Sequence, residues 1–230
     1  MNMSPSLELY WISGSPFAWR VQLALSMHGI EYISHRLEAS KREQKQPEYL
    51  ELNPRGKVPT LRDGDFVLRE SIAILVYLNA QNPQWQLFGD TPTQQALIWQ
   101  QICEVETIIV PLAMQFVRPI FFDGLSTKYQ DVLAAARLLH KEFKRLDETL
   151  AKNSWLAGDS YSAADIVTYP LIRFIERAAN KPDAADLDIN LFPLVPDSGD
   201  TSSAKPNLKD WVERFEELPG VRETYPPHWK

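Results

Sequence analysis

The chain has 230 residues, 44% hydrophobic and 23% charged, the balance of a soluble globular protein with room for one large core or two modest ones. Its 30 Asp and Glu outnumber its 24 Lys and Arg, a formal net charge of −6, which excludes an overall basic field for nucleic acid or an anionic membrane surface. One cysteine, Cys103, excludes an internal disulfide and a cysteine-rich metal site, and a cytoplasmic protein is the expectation, because no leader-like N-terminus and no run of roughly 18 unbroken apolar residues is present.

Leu7–Ser13 (LELYWIS) is short, aliphatic and aromatic, and predicts a buried strand. The next stretch, Ser15 to Ile30, places Phe17, Val21, Ala24, Leu25 and Met27 at helical spacing and stops at His28-Gly29, a C-cap signal. Pro16 suits its first turn. Tyr32–Leu37 alternates apolar and polar residues as a half-buried strand does. Strand, helix, strand implies a βαβ unit with parallel strands and a right-handed crossover. Ser34–Gln46 is a basic-leaning, solvated stretch in an acidic chain. Two brief strands around Thr60–Arg62 and Phe66–Leu68 are expected to meet through an Asp63-Gly64 turn. Arg69-Glu70-Ser71 then opens a helix with Ile72, Leu75, Val76 and Leu78 on or near one face.

Residues 83–91, rich in proline, glycine and polar side chains, read as a linker between a domain at 1–82 and a second at 92–230. No convincing strand follows. A long helical pattern from Thr93 to Phe122 is interrupted by Pro111 and Pro119, where kinks or breaks are expected. Val132, Leu139, Phe143, Leu146 and Leu150 mark an amphipathic helix. Ser162 and Asp165 have the spacing of a capping box at the head of another, which carries Pro170. Asn180–Lys205 lacks periodicity and reads as a surface excursion; Asn207–Leu218 is a final helix. Cys103, inside a helix, reads as a small buried hydrophobe.

The hydroxyls before the first helix admit two readings, a helix cap or a donor waiting for a ligand's sulfur. Four segments in order decide the matter by resemblance. Ser-Pro-Phe-Ala-Trp-Arg-Val (Ser15–Val21), Gly-Lys-Val-Pro-Thr-Leu (Gly56–Leu61), Arg-Glu-Ser-Ile (Arg69–Ile72) and the Ser162–Asp165 cap together resemble the glutathione S-transferase family, over nearly the whole chain. The first segment is similar to the serine-type classes, tau and zeta among them. The resemblance implies an α/β thioredoxin-like βαβ-ββα domain followed by an all-α helical domain. It also implies glutathione as co-substrate without a metal, and a homodimer. It assigns the thiolate-stabilising role to Ser15, with Ser13 as the alternative. Lys57, Val58, Pro59 (in a cis peptide), Glu70 and Ser71 become the glutathione-binding residues. Phe17, Met114, Phe116, Arg118 and Phe121 become candidates for the pocket of a small hydrophobic electrophile.

The chemistry fits these residue types. A free thiol with a pKa near ~8.5 is only a few per cent ionised at neutral pH. Lowering it by two units takes about 2.7 kcal/mol. A hydroxyl bond to a charged sulfur supplies about 1.5–3 kcal/mol, and a helix N-terminus adds about 0.3–1. A glutaredoxin-like thiol exchange needs a cysteine at the helix mouth, and the mouth holds Ser15. The resemblance therefore implies conjugation to an electrophile or reduction of a hydroperoxide. A zeta-like glutathione-dependent isomerase and a glutathione-fold binding module without catalysis are the other readings.

Overall fold

Leu7 and Leu9 alternate with Glu8 and Tyr10 along β1 (Leu7–Trp11), so a period of two divides the strand between two faces. On one face Leu7, Leu9 and Leu61 join Val21 and Leu25 of α1 (Pro16–Met27) and Ile74 and Leu78 of α3 (Ser71–Gln81) in an apolar cluster. On the other, Tyr10 stacks on His35 at 4.4 Å and His35 reaches Glu8 at 2.7 Å. Tyr49, in the short α2 (Pro47–Leu52), tilts against Tyr10 there. In this computed structural model, which describes residues 7–122, 124–185 and 205–229, the sheet has the order β2-β1-β3-β4. β2 (Ile33–Arg36) is parallel to β1, whereas β3 (Thr60–Asp63) and β4 (Phe66–Arg69) complete it as an antiparallel pair. This is the βαβ-ββα order expected.

Details depart from expectation for local reasons. As an edge strand, β2 exposes Ile33 and is not half-buried. Asp63 pairs with Phe66, so the two-residue turn is Gly64-Asp65, one position later than expected, with Gly64 at φ +59°. The buried face of α3 is Ser71, Ile74, Leu75 and Leu78; Val76 points outward and Ile72 is half-buried.

The described residues form two units. The first comprises those of Met1–Gln86 and, returning at the end of the chain, those of Glu217–Lys230; the second is Leu87–Glu216. The helical unit thus begins within the expected linker, where Leu87 and Phe88 are buried, and ends before the chain does. It contains α4 (Pro92–Glu104), α5 (Val110–Phe121), α6 (Leu125–Leu150), α7 (Ala163–Ala179), the single turn α8 (Pro182–Ala185) and α9 (Pro206–Glu216). Pro111 does not break the helical run. A π-helical turn, Val105–Ile109, widens the backbone immediately before it, and Pro111 falls in the first turn of α5, where a missing N–H costs little. The run Pro92–Phe121 is long and apolar enough to cross a membrane by length and composition alone, but α4 and α5 pack against α6 and α7 as helices of this unit.

Cys103 lies on the exposed side of α4, not in the core, because the buried stripe there runs through Ile98, Gln101 and Ile102. Ser162 and Asp165 form the expected capping box. Asp165 is wholly buried and accepts from Leu156 N–H, Ser162 N–H and hydroxyl, and Trp211 Nε1 of α9. Most of the Asn180–Lys205 excursion lies outside the described residues.

Candidate active site

Strand register gathers three chain segments at one end of the sheet. Thr60, which opens β3, lies opposite Tyr10 near the end of β1, and Arg69, which closes β4, lies opposite Thr60. The exit from β1 (Ile12–Ser15), the entry to β3 (Val58–Pro59) and the exit from β4 (Glu70–Ser71) therefore share that end. These segments hold the expected serine, proline and Glu-Ser positions.

Ser15 is the N-cap of α1, with extended backbone (φ −76°, ψ 115°) and an Oγ that accepts the Ala18 N–H at 3.3 Å. Capping uses the oxygen's lone pair, and the hydroxyl proton is donated to no described residue. Cap and sulfur donor are therefore compatible roles for one hydroxyl. Ser13 is differently placed: its Oγ lies 3.1 Å from Nδ1 of His228, near the end of the chain. Between the two serines Gly14 takes φ +84°, and the Ser15 N–H donates to the Ile12 carbonyl at 3.1 Å, closing a tight turn.

The Val58–Pro59 peptide is cis. The Lys57 carbonyl accepts from the Tyr49 hydroxyl at 2.6 Å and from Asn53 Nδ2 at 2.8 Å, and both donors also contact the Thr60 hydroxyl. Burial pushes the Tyr49 phenol above its ordinary value and keeps it a donor. That network fixes the loop while the N–H and C=O of Val58 stay unengaged among the described residues. The Lys57 side chain is exposed. Glu70 sits at φ +70°, ψ 116°, a conformation that costs a side-chain-bearing residue about 1–3 kcal/mol and clusters at functional sites. Its carboxylate is exposed, and Ser71 begins α3, so the Ser71 N–H has no partner within the helix.

One participant was not anticipated. Arg20 is wholly buried on α1 and donates from Nη1 to the Ser71 hydroxyl at 3.2 Å, while its guanidinium lies 4.9 Å from the Phe17 ring. It ties the head of α3 to α1 and brings a positive charge to it. The only sequence signal was an arginine set between Trp19 and Val21, the one charged residue of a mostly apolar helix.

The electrophile candidates divide. Met114 and Arg118, one helical turn apart on α5, line a cavity of about 580 Å³ in the helical unit with Gln115, Phe122 and Lys128. Phe116 falls on the opposite side of the helix and is a buried core side chain. Phe121 stacks on Phe174 at 5.8 Å, with the cations of Arg177 and Lys181 over its ring. Phe17 is half-buried in the first unit under Arg20.

Residues 14–81 match the family model for the glutathione S-transferase N-terminal domain, and residues 104–219 that for the C-terminal domain. Among curated proteins, "Glutathione S-transferase A" of Pleuronectes platessa is 29% identical over 99% of this chain and 94% of its own length. "Glutathione S-transferase zeta class" of Euphorbia esula is 30% identical, covering 83% of each chain. A solved glutathione S-transferase from the Antarctic clam Laternula elliptica superposes with TM-score 0.79 at 30% identity, covering 98% of this chain and 94% of that one.

Proposed function

The chain belongs to the glutathione S-transferase family and is a glutathione transferase, and from that premise we propose that Ser15 is the group that holds the glutathione sulfur as a thiolate. One observation carries this assignment: the Ser15 oxygen already caps α1 while its proton is uncommitted, at the positive end of a twelve-residue helix. A donated hydroxyl bond and the helix terminus together reach the about 2.7 kcal/mol that two pKa units need. Ser13 is disfavoured because it stands two residues before the α1 N-cap, where its hydroxyl pairs with His228 and not with the helix terminus.

The rest of the peptide has partners to match. The open N–H and C=O of Val58 form a one-residue strand edge for the cysteinyl main chain, held in place by Pro59 and the Lys57 carbonyl network. The γ-glutamyl carboxylate meets the Ser71 N–H and hydroxyl at the head of α3, with buried Arg20 behind that hydroxyl. The Glu70 carboxylate faces the ammonium, and the exposed Lys57 ammonium meets the glycyl carboxylate. The thiolate then attacks a small apolar electrophile or reduces a hydroperoxide. The protein acts in the cytoplasm as a homodimer, to which exposed Phe66 and Val76 in the first unit and Leu97, Trp99 and Ile108 in the second offer apolar surface.

Titrating the thiolate absorbance of bound glutathione against pH tests the central assignment. Ser15→Ala should raise the bound thiol's pKa by about one to two units, and Ser13→Ala by less. An unchanged titration in Ser15→Ala removes the residue from its role. A second reading has one observation in its favour: Arg118 and Lys128 outnumber the single carboxylate of Asp131 in the lining of the helical unit's cavity, a net positive charge that suits the acidic substrate of a glutathione-dependent isomerase. Isomerisation of a maleyl-type dicarboxylate outpacing conjugation would select it.

A further inference from the structure

The end of the chain runs along the whole of α1. At its start Gly220, at φ +81°, passes so close to the last turn that a Cβ there would sit 2.6 Å from the Ser26 backbone. Midway the Thr224 hydroxyl accepts from Trp19 Nε1 at 2.7 Å, and Tyr225 and Trp229 meet the Trp19 ring edge-on at 5.4 and 5.5 Å. At the finish the His228 imidazole reaches the Ser13 hydroxyl at 3.1 Å. The same imidazole and the Trp229 indole close over Gly14, where a Cβ would come within 3.1 Å of each. Residues 217–229 thus form a strap, belonging to the first unit, that bears on the two central residues of the turn delivering Ser15.

We infer that His228 is a positioning residue for the transferase reaction: through Ser13 it fixes the Ile12–Ser15 turn, and the turn fixes the direction in which the Ser15 hydroxyl is offered to the glutathione sulfur. This rests on the assignment of Ser15. The inference follows from how few degrees of freedom the turn has. Its backbone is held by one internal hydrogen bond and a glycine in the left-handed region, the most permissive backbone available. Something outside the turn must select one conformation, and His228 and Trp229 are the residues that come nearest its centre among the described ones. A hydrogen bond to sulfur weakens steeply as its angle closes, so a small rotation of the turn costs thiolate stability while the contacts at Val58 and Ser71 persist.

The test compares Ser13→Ala, His228→Ala, His228→Asn and the double alanine variant with the parent protein and with Ser15→Ala. The readouts are the thiolate titration of bound glutathione, kcat for conjugation, and the glutathione Kd. His228→Ala and Ser13→Ala should each lower kcat about two- to tenfold, the range one neutral hydrogen bond commands, and raise the bound thiol's pKa. Glutathione Kd should move less than kcat. The double variant should be no worse than either single change, and His228→Asn, whose amide can replace Nδ1, should recover most of the loss. Ser13→Ala removes the same bond without touching the strap, so poor folding of a His228 variant leaves the idea open to refutation. If His228→Ala and Ser13→Ala leave both the titration and kcat at parent values while Ser15→Ala shifts them, the strap is packing only and the inference fails. If Ser15→Ala shifts neither, the Ser15 assignment itself fails and takes this with it.

Discussion

His28 closes α1 and lies flat on Trp85, ring centroids 4.0 Å apart, with Nε2 buried and unpartnered among the described residues. Burial holds its pKa below the ordinary 6.5. The folded protein therefore resists a proton that the unfolded chain accepts. Stability is full above about pH 6.5 and declines as pH falls through that value toward the depressed folded pKa. His140, lowered by burial and by the neighbouring Lys205 and Lys144, adds the same sign. Urea midpoints at pH 7.5 and 5.5 should show parent protein losing stability at the lower pH, and His28→Phe should lose less. A loss at least as large in His28→Phe would mean that the acid sensitivity arises elsewhere. Arg20 is the opposite kind of residue, an always-charged group kept inside by its bond to Ser71 and its seat over Phe17.

Helix ends carry much of the specification at the next scale. The carboxylate of Asp165 takes two donors from the Ser162 cap, one from Leu156 and one from Trp211, so it joins the head of α7 to α9 as well as capping it. Asp165→Ala should cost about 2–4 kcal/mol in urea unfolding, because a cap is lost and buried donors are left without acceptors. A cost below about 1 kcal/mol would show that solvent replaces the carboxylate. That cap was legible in the sequence because its partners sit three residues apart. So were β1, α1 and the Ser15 cap, all governed by local spacing. The Gly64-Asp65 turn and the buried face of α3 were each misplaced slightly, since pairing partners and packing neighbours, not the local pattern, choose among adjacent residues. Short α2 and the π turn before Pro111 left no periodic trace long enough to read.

The whole molecule adds relations that no local pattern encodes. Ser13 and His228 stand 215 positions apart, and neither residue's surroundings in sequence announce the other. The Arg20–Ser71 bond, 51 positions apart, is hidden for the same reason. Phe66, 49% exposed beside Tyr77, and Trp99, 40% exposed on α4, are apolar surfaces at which the proposed homodimer can be tested. Sedimentation should find the parent at twice the chain mass and Phe66→Glu/Trp99→Glu shifted toward one chain, with α-helical content unchanged; a parent that sediments as a single chain would refute the homodimer.

The doubling back of residues 217–229 also sets a timetable for birth. A ribosome releases α1 long before it has made the stretch that braces it, so the mouth of that helix waits, half-dressed, for the translation of almost everything else. A premature stop ahead of residue 217 would accordingly be felt in the first helix and not in the last.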